Sequence, residues 1–515
     1  MISVLVGLIP FLPAFAAFTV PLMYLSFRKR LLVMYYVFAI SLVVLALSAV
    51  VAVEAFTRET PLVFMAGGWP APIGIVYVVD RPVALLGLVT ALVVAMIALY
   101  SVSYIVDEGY PWYSILLLGA TSGILGVVYT GDMFNLFVML EVTGVSAYAL
   151  VMYYRYRATS IVSGLKYAFI GSLGTTLYLL AMGLTYSVYG TLNFVDFSLK
   201  LPVQKNPLQA IAYGVIMVLA LWAFSIKSGV FPNHFWLPDA HPAAPTPISA
   251  LLSGLVVNVG VIGLYKFIYI ASWSTPPGTL ASVKELVLLV MVVMGTLSAL
   301  FGALLMNIQR DIKRLIAYST VMNLGFLFMS VGCGTSHGLM AALYYITTHS
   351  LAKATLFLSA GLLIRVAGTR NLEKLAGLGL KYPVVGVALA TSTLALAGIP
   401  PLPGFLAKLL LYEALFEYNV TLAMLMVVAS AIGLLAYMRL FYVVMLGVPS
   451  VEIKGLNARA ASTSLVVLTV ITILVGVVFL FSPQALQGIF KAAADQVTVN
   501  IENYVEYIKS TFSTP

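Results

Sequence analysis

Fourteen stretches of this chain are each long enough and apolar enough to cross a bilayer, and that pattern constrains the fold more than any other feature. A crossing helix needs about 20 mostly apolar residues. The runs lie at 2–26, 31–54, 82–106, 112–130, 132–154, 160–188, 207–229, 245–270, 284–307, 313–333, 337–366, 382–418, 420–446 and 461–481. In hydrocarbon every backbone amide must be paired internally, so runs of this length are read as helices. With 62% hydrophobic and 9% charged residues, the 515-residue composition excludes a water-soluble globule. The expectation is an all-α, multi-pass protein of the cell membrane. Residues 1–27 lack a basic leader and a small-residue cleavage site, so they are expected to stay as the first span.

Sidedness follows from Lys and Arg in the connections. Loops after odd-numbered runs hold fourteen: Arg28, Lys29, Arg30, Arg155, Arg157, Arg310, Lys313, Arg314, Arg365, Arg370, Lys374, Lys381, Lys454 and Arg459. Loops after even-numbered runs hold five: Arg58, Arg81, Lys200, Lys205 and Lys284. Odd loops are therefore assigned to the cytoplasm. The net charge of +9 is dispersed among apolar spans, which is topology and not a nucleic-acid footprint. One cysteine, Cys333, cannot supply an iron–sulfur cluster, a zinc site or an internal disulfide. The four histidines, His234, His241, His337 and His349, are not spaced as a facing haem pair. No cofactor and no metal are expected on this chain, and no redox chemistry.

Six basic residues fall inside predicted spans: Lys166, Lys227, Lys266, Lys353, Lys408 and Arg439. Glu141 is the clearest buried acid, in FNLFVMLEVTGVSAYALV. A charge at the bilayer centre costs at least about 2.5 kcal/mol, so such groups should face one another or a hydrated interior. For Lys166, Lys266 and Arg439, nearer span ends, snorkelling or simple pairing competes with that reading. Two of the lysines lie beside helix breakers, Lys227 before a segment with prolines at 232, 238, 242, 245 and 247, and Lys408 after GIPPLPGF. Broken spans in matching places point to an inverted-repeat transporter. The organisation read from this is residues 1–110 (three spans), 111–270 (spans four to eight), 284–446 (spans nine to thirteen, inverted) and 460–515 (a last span and tail). Lys166 then pairs in the repeat with Lys353, and Lys227 with Lys408, giving a midplane string suited to proton relay.

At these residues a family resemblance becomes visible. SIKSGVFPNHFWLPDAHPAAPTPISALLSG, DIKRLIAYSTVMNLGF, THSLAKATLFLSAG and GIPPLPGFLAKLLL, in this order, resemble the antiporter-like subunits of respiratory complex I, of Mrp-type Na+/H+ antiporters and of membrane-bound hydrogenases. The resemblance spans about residues 60–445, and the wording GVFPNHFWLP is closer to the Mrp and hydrogenase types. It implies a proton-translocating subunit, with possible Na+ exchange, working among other membrane subunits that carry any electrons. Residue by residue it implies that Glu141 and Lys227 are the fifth- and seventh-helix pair, that Lys166 modulates them, that His349 and Lys353 continue the path and that Lys408 stands at the exit side. His234, Asn258 and Lys266 are further candidates for the path. Asp311, Lys313 and Arg314 match a cytoplasmic loop motif with a structural or topogenic role. The chain departs from the pattern where the family carries a central eighth-helix lysine: here stands Asn258, with Ser253 and Asn323 at alternative histidine positions. Either water and His349 bridge that gap, or Lys266 lies closer, or conduction differs.

The tail from Ser482 has apolar residues at 486, 490, 493, 497, 501, 505 and 508, an amphipathic helix expected to lie on the outer membrane surface, with a partner-docking helix as the alternative. Two rival functions remain: a stand-alone secondary carrier for a small solute, which needs one compact midplane pocket, and a haem- or quinone-binding membrane enzyme, against which the cysteine and histidine counts weigh.

Overall fold

The structure, a computed structural model, describes residues 2–203, 207–449 and 458–512. Lys205 and Lys454, two of the topology markers, lie outside these residues. Among the described residues thirteen helices are long and apolar enough to cross a membrane, and a pair bent by 116°, Leu372–Lys381 with Pro383–Ala397, raises that to fourteen. The helices confirm the multi-pass expectation. The spans in chain order are Ile2–Phe27, Arg30–Thr57, Arg81–Tyr104, Tyr110–Tyr129, Met133–Val151, Ala158–Tyr189, Pro207–Ser228, Thr246–Ala271, Thr279–Asn307, Ile312–Gly332, Ser336–Ala367, the halves Pro383–Ala397 and Pro403–Tyr418, Val420–Leu446 and Arg459–Phe481. One feature departs from an all-helical chain. Between the second and third spans, β1 (Leu62–Met65) pairs antiparallel with β2 (Val76–Val79), with Leu62 opposite Val79. The LVFM and VYVV segments are too short to register beside twenty-residue apolar runs, which is why the hairpin was not expected.

The eighth, tenth and eleventh spans form the centre and are almost wholly buried. The first, second, sixth and thirteenth present large apolar side chains outward, among them Phe18, Val53, Phe169 and Leu435. Close approach of the ninth and tenth spans depends on glycine. A Cβ on Gly325 would lie 2.5 Å from the carbonyl oxygen of Gly295, and one on Gly295 would lie 2.6 Å from that of Gly325. Small residues at such crossings let backbones touch where no hydrophobic force drives lipid-immersed helices together.

The breaks fall where proline and glycine put them. The seventh span stops at Ser228, followed by Gly229 at φ +64° and Pro232, and a short helix, Leu237–Ala243, leads back towards the eighth. Freed carbonyls are satisfied locally: the Trp236 indole donates to Ile226 O at 3.1 Å, and Val230 N to Ser225 O at 3.1 Å. The twelfth span stops at Ala397, with Gly398 at φ +83°, and resumes at Pro403. Lys227 sits just before its break and Lys408 just after its own. The eighth span stays helical but contains π-helical turns at Leu252–Val256 and Lys266–Ala271, a feature that collects at functional sites.

The tail corrects an expectation. It forms two helices, Pro483–Gln496 and Ile501–Phe512, and all seven of the apolar residues named above are buried within this chain. The Gln496 side chain accepts from Arg81 N (2.8 Å) and donates to Glu59 O (3.1 Å), and Ser336 donates to Asp495 at 2.6 Å. The outer ends of the third and eleventh spans already offer an apolar floor, so the amphipathic face lies on protein and not on lipid.

Candidate functional site

Lys227 ends the first half of the seventh span, 7% exposed, and donates to the Tyr148 hydroxyl of the fifth span at 3.2 Å. Glu141, two turns earlier on that fifth span, is half-buried and within electrostatic reach of both Tyr148 and Lys227. Among the described residues no ion pair joins Glu141 to Lys227; Tyr148 bonds the lysine and lies within electrostatic reach of the glutamate. The Tyr148 ring also packs edge-on against Tyr167 at 4.5 Å, which in turn stacks on Trp236 at 4.0 Å. The helix break thus fixes the rings that frame this lysine.

Lys166 is paired, one of the two ordinary readings open to it. It bonds Asp239 on the short helix after the break at 2.6 Å, and the other Asp239 oxygen takes Arg314 at 2.7 Å. Burial works to raise the Asp239 carboxyl, but the hydrogen bonds and charges of Lys166 and Arg314 outweigh it and hold the group below the usual carboxylate range. Asp239 and Arg314 line a cavity of about 880 Å³, on the side that loop charge assigns to the cytoplasm, together with Arg157, Asp311, Lys313, Arg365 and Arg370. Asp311 caps the tenth span by accepting from Lys313 N and Arg314 N, and pairs with Arg370 at 3.1 Å, which is the structural role its motif implied. Arg439 likewise is structural: its guanidinium holds the carbonyls of Asn307 and Gln309 at the end of the ninth span.

Deeper in, Lys353 is fully buried on the eleventh span and donates to the Ser319 hydroxyl and to Ile316 O (3.3 Å) of the tenth. Ser319 O accepts from Asn323 at 2.5 Å, and Asn323 is also bonded to Tyr437 (3.0 Å) and Tyr345 (2.6 Å). Lys408 donates across its break to Ala397 O at 2.9 Å and to Ser430 at 2.8 Å. Asn258, in the position where a lysine would have carried the path, donates to Gly254 O (2.7 Å) and Ser350 (3.0 Å), next to His349. Ser253 pairs with Thr320 at 2.7 Å. Lys266 is not central. It lies at the outer end of the eighth span on three carbonyls of the fourth, Val127 and Val128 at 2.8 Å and Thr130 at 2.5 Å. His234 stays in the break, its ring stacked on Phe231 and within reach of the Lys166 charge.

Sequence reasoning missed Tyr148, Ser319 and His241. His241 is fully buried against Phe357, between the Lys353 and Lys313 charges, and neither of its ring nitrogens has a hydrogen-bond partner among the described residues. The same holds for both nitrogens of His349, Oδ1 of Asn258 and the hydroxyls of Ser228 and Thr348. The signal for His241 was its place in LPDAHPAAP, one residue before a proline, which reads as loop and conceals its burial. No group of three or more His, Cys, Asp or Glu is placed to hold a metal among the described residues.

Comparison with known proteins places the chain in a family. The family model described as NADH:quinone oxidoreductase/Mrp antiporter, transmembrane, matches residues 130–433. NADH-quinone oxidoreductase subunit N of Desulforudis audaxviator is 31% identical over 436 residues, 84% of this chain and 83% of that protein. The D subunit of the Na(+)/H(+) antiporter of Bacillus subtilis is 32% identical over 410 residues, 78% and 80% of the two. Among solved structures, a chain of the membrane-bound sulfane sulfur reductase, an archaeal respiratory membrane complex, superposes with a TM-score of 0.89 at 27% identity over 98% of this chain and 99% of that one. A chain of the Mrp complex from Dietzia sp. DQ12-45-1b shares the fold, with a TM-score of 0.86 at 24% identity over 99% and 100%. The chain belongs to the NADH:quinone oxidoreductase/Mrp antiporter transmembrane family and is an antiporter-type subunit of that class of membrane complex.

Proposed function

We propose that this chain conducts protons across the membrane, entering from the cytoplasm-side cavity and passing along Glu141, Lys227, His349, Lys353 and Lys408, with Lys166 tuning the Glu141–Lys227 pair. The observation that carries the reading is the company these lysines keep. Lys227, Lys353 and Lys408 are buried, yet each ammonium is held by hydroxyl or carbonyl oxygens and by no carboxylate within ion-pair distance among the described residues. A counter-ion would lock a buried lysine in its charged form. One held by neutral acceptors can give up its proton without leaving a naked charge behind, which a relay requires.

The gap at Asn258 is bridged, in this reading, by water. The unpartnered polar atoms of Ser228, His241, Asn258, Thr348 and His349 are buried, and each unmade hydrogen bond costs about 1–3 kcal/mol. Water is the ligand that such a polar, enclosed string takes. Shifting the Glu141 carboxylate towards or away from Lys227, through Tyr148, switches that lysine between holding and releasing a proton. Electrons of the assembly are carried by other chains. Sodium exchange, named for the Bacillus subtilis relative, is the second reading.

The test uses the assembled complex in proteoliposomes. Glu141→Gln, Lys227→Ala and Lys408→Met are each expected to cut proton translocation at least about tenfold, the effect of raising a transfer barrier by about 1.4 kcal/mol. Wild-type translocation by any assembled Glu141→Gln or Lys227→Ala complex refutes the pair.

A further inference from the structure

At the outer surface, a second buried charge pair lies outside the path just described. Asp80, 1% exposed, precedes the third span, and Lys266, 2% exposed, lines the same small space from the eighth, within electrostatic reach but with no ion pair between them among the described residues. Asp80 uses one oxygen to cap its helix, accepting from Val83 N at 2.7 Å. Capping needs no more than that. The other oxygen takes the hydroxyls of Tyr265 at 3.0 Å and Tyr504 at 3.4 Å. Lys266, for its part, crowns the carbonyl end of the fourth span. An ammonium so buried is costly where an apolar residue would pack, so stapling helix ends explains it poorly.

Tyr504 is the side chain that joins two spaces. On its inner side it lines a space of about 10 Å³ with Asp80, Thr130, Asn193 and Lys266, room of the order of one water. On its outer side it lines an open cavity of about 470 Å³ with Glu59, Arg81, Asn500 and Asn503. The helix that carries it, Ile501–Phe512, follows a four-residue turn after Gln496 and holds the bundle by Ile501, Val505 and Ile508. Its hydroxyl makes the longest hydrogen bond of the cluster. Moving this ring aside would join the outer cavity to the charge pair with little else disturbed.

We propose that Asp80 and Lys266 form an outer proton-release site of this chain, and that the C-terminal helix is its lid, latched by Tyr504. The proposal rests on the proton reading above. Along the eighth span Lys266 lies eight residues beyond Asn258, about 12 Å at helical rise, so this span leads from the uncharged middle of the path to the outside. Lys266 hands its proton to the Asp80 carboxylate through a water in the small space both line, taking its next proton from the path, and Asp80 releases it to outer water once Tyr504 withdraws.

The experiment uses the assembled complex in vesicles loaded with a pH-sensitive dye, with native-gel mass as the assembly check. Tyr504→Phe keeps the ring packing and removes the latch; the resting proton leak should rise several-fold, which loss of a merely structural hydrogen bond would not cause. Asp80→Asn, equal in shape, should slow driven proton release at least fivefold. Wild-type leak in Tyr504→Phe together with wild-type release in Asp80→Asn overturns the proposal. If Asp80→Asn does not assemble, the Tyr504→Phe leak alone decides. Glu141→Gln separates the two readings: loss of translocation there with no effect at Asp80 and Tyr504 leaves the inner path standing and removes this exit.

Discussion

Replacing Lys353 by methionine separates a relay residue from a packing one. The lysine is 0% exposed and makes two hydrogen bonds, to Ser319 and to Ile316 O. Removing the charge recovers an effective desolvation penalty of several kcal/mol. Against that stand two hydrogen bonds to a charged donor, about 1.5–3 kcal/mol each. The terms cancel to within about 2 kcal/mol, and no orphan is created, because the Ser319 hydroxyl already donates to Ile316 O at 2.7 Å. Methionine fills the volume of the lysine stem. The expected outcome is a complex whose thermal midpoint lies within a few degrees of wild type while proton translocation in proteoliposomes falls at least about tenfold. A Lys353→Met complex that pumps normally refutes the relay role. One that loses activity only in proportion to lost assembly refutes it equally, since that is the behaviour of a structural residue.

Two further expectations concern the cytoplasmic side. His241→Leu removes ring nitrogens that bond to no described residue, so assembly should be kept while proton translocation slows, read as initial rate in the same vesicles; unchanged rate would take His241 off the route. Asp239→Asn unties Lys166 and Arg314 at a part-exposed site, where ion pairs contribute about 0–1 kcal/mol, so thermal stability should barely move. Translocation should fall partially, about two- to fivefold, because freeing the Lys166 charge changes the field at Lys227, and a barrier change of about 0.4–1 kcal/mol has that effect.

The membrane architecture was legible from hydropathy because bilayer thickness imposes one length scale on every span, and proline and glycine announced both breaks. Lys227, Lys353 and Lys408 could be singled out because a charge in an apolar run is conspicuous. Their partners could not. Tyr148, Ser319 and Ser430 are ordinary polar residues whose role depends on which helix faces which. His241 was hidden among prolines, and Lys266 looked like a span-end lysine until its three carbonyl partners came from a span 136 residues or more away.

What the chain alone determined is therefore the solvent it lives in, the number and breakage of its spans, and that Lys227, Lys353 and Lys408 lie within apolar runs; these depend on local apolarity, local breakers and a fixed membrane thickness. The tertiary structure alone decided that the tail folds back on its own bundle, that a hairpin interrupts the outer surface, and that the buried lysines rest on neutral oxygens. Those outcomes depend on contacts between residues far apart in the chain, where burial and hydrogen-bond geometry are set by helix packing and leave no periodic trace in the order of amino acids.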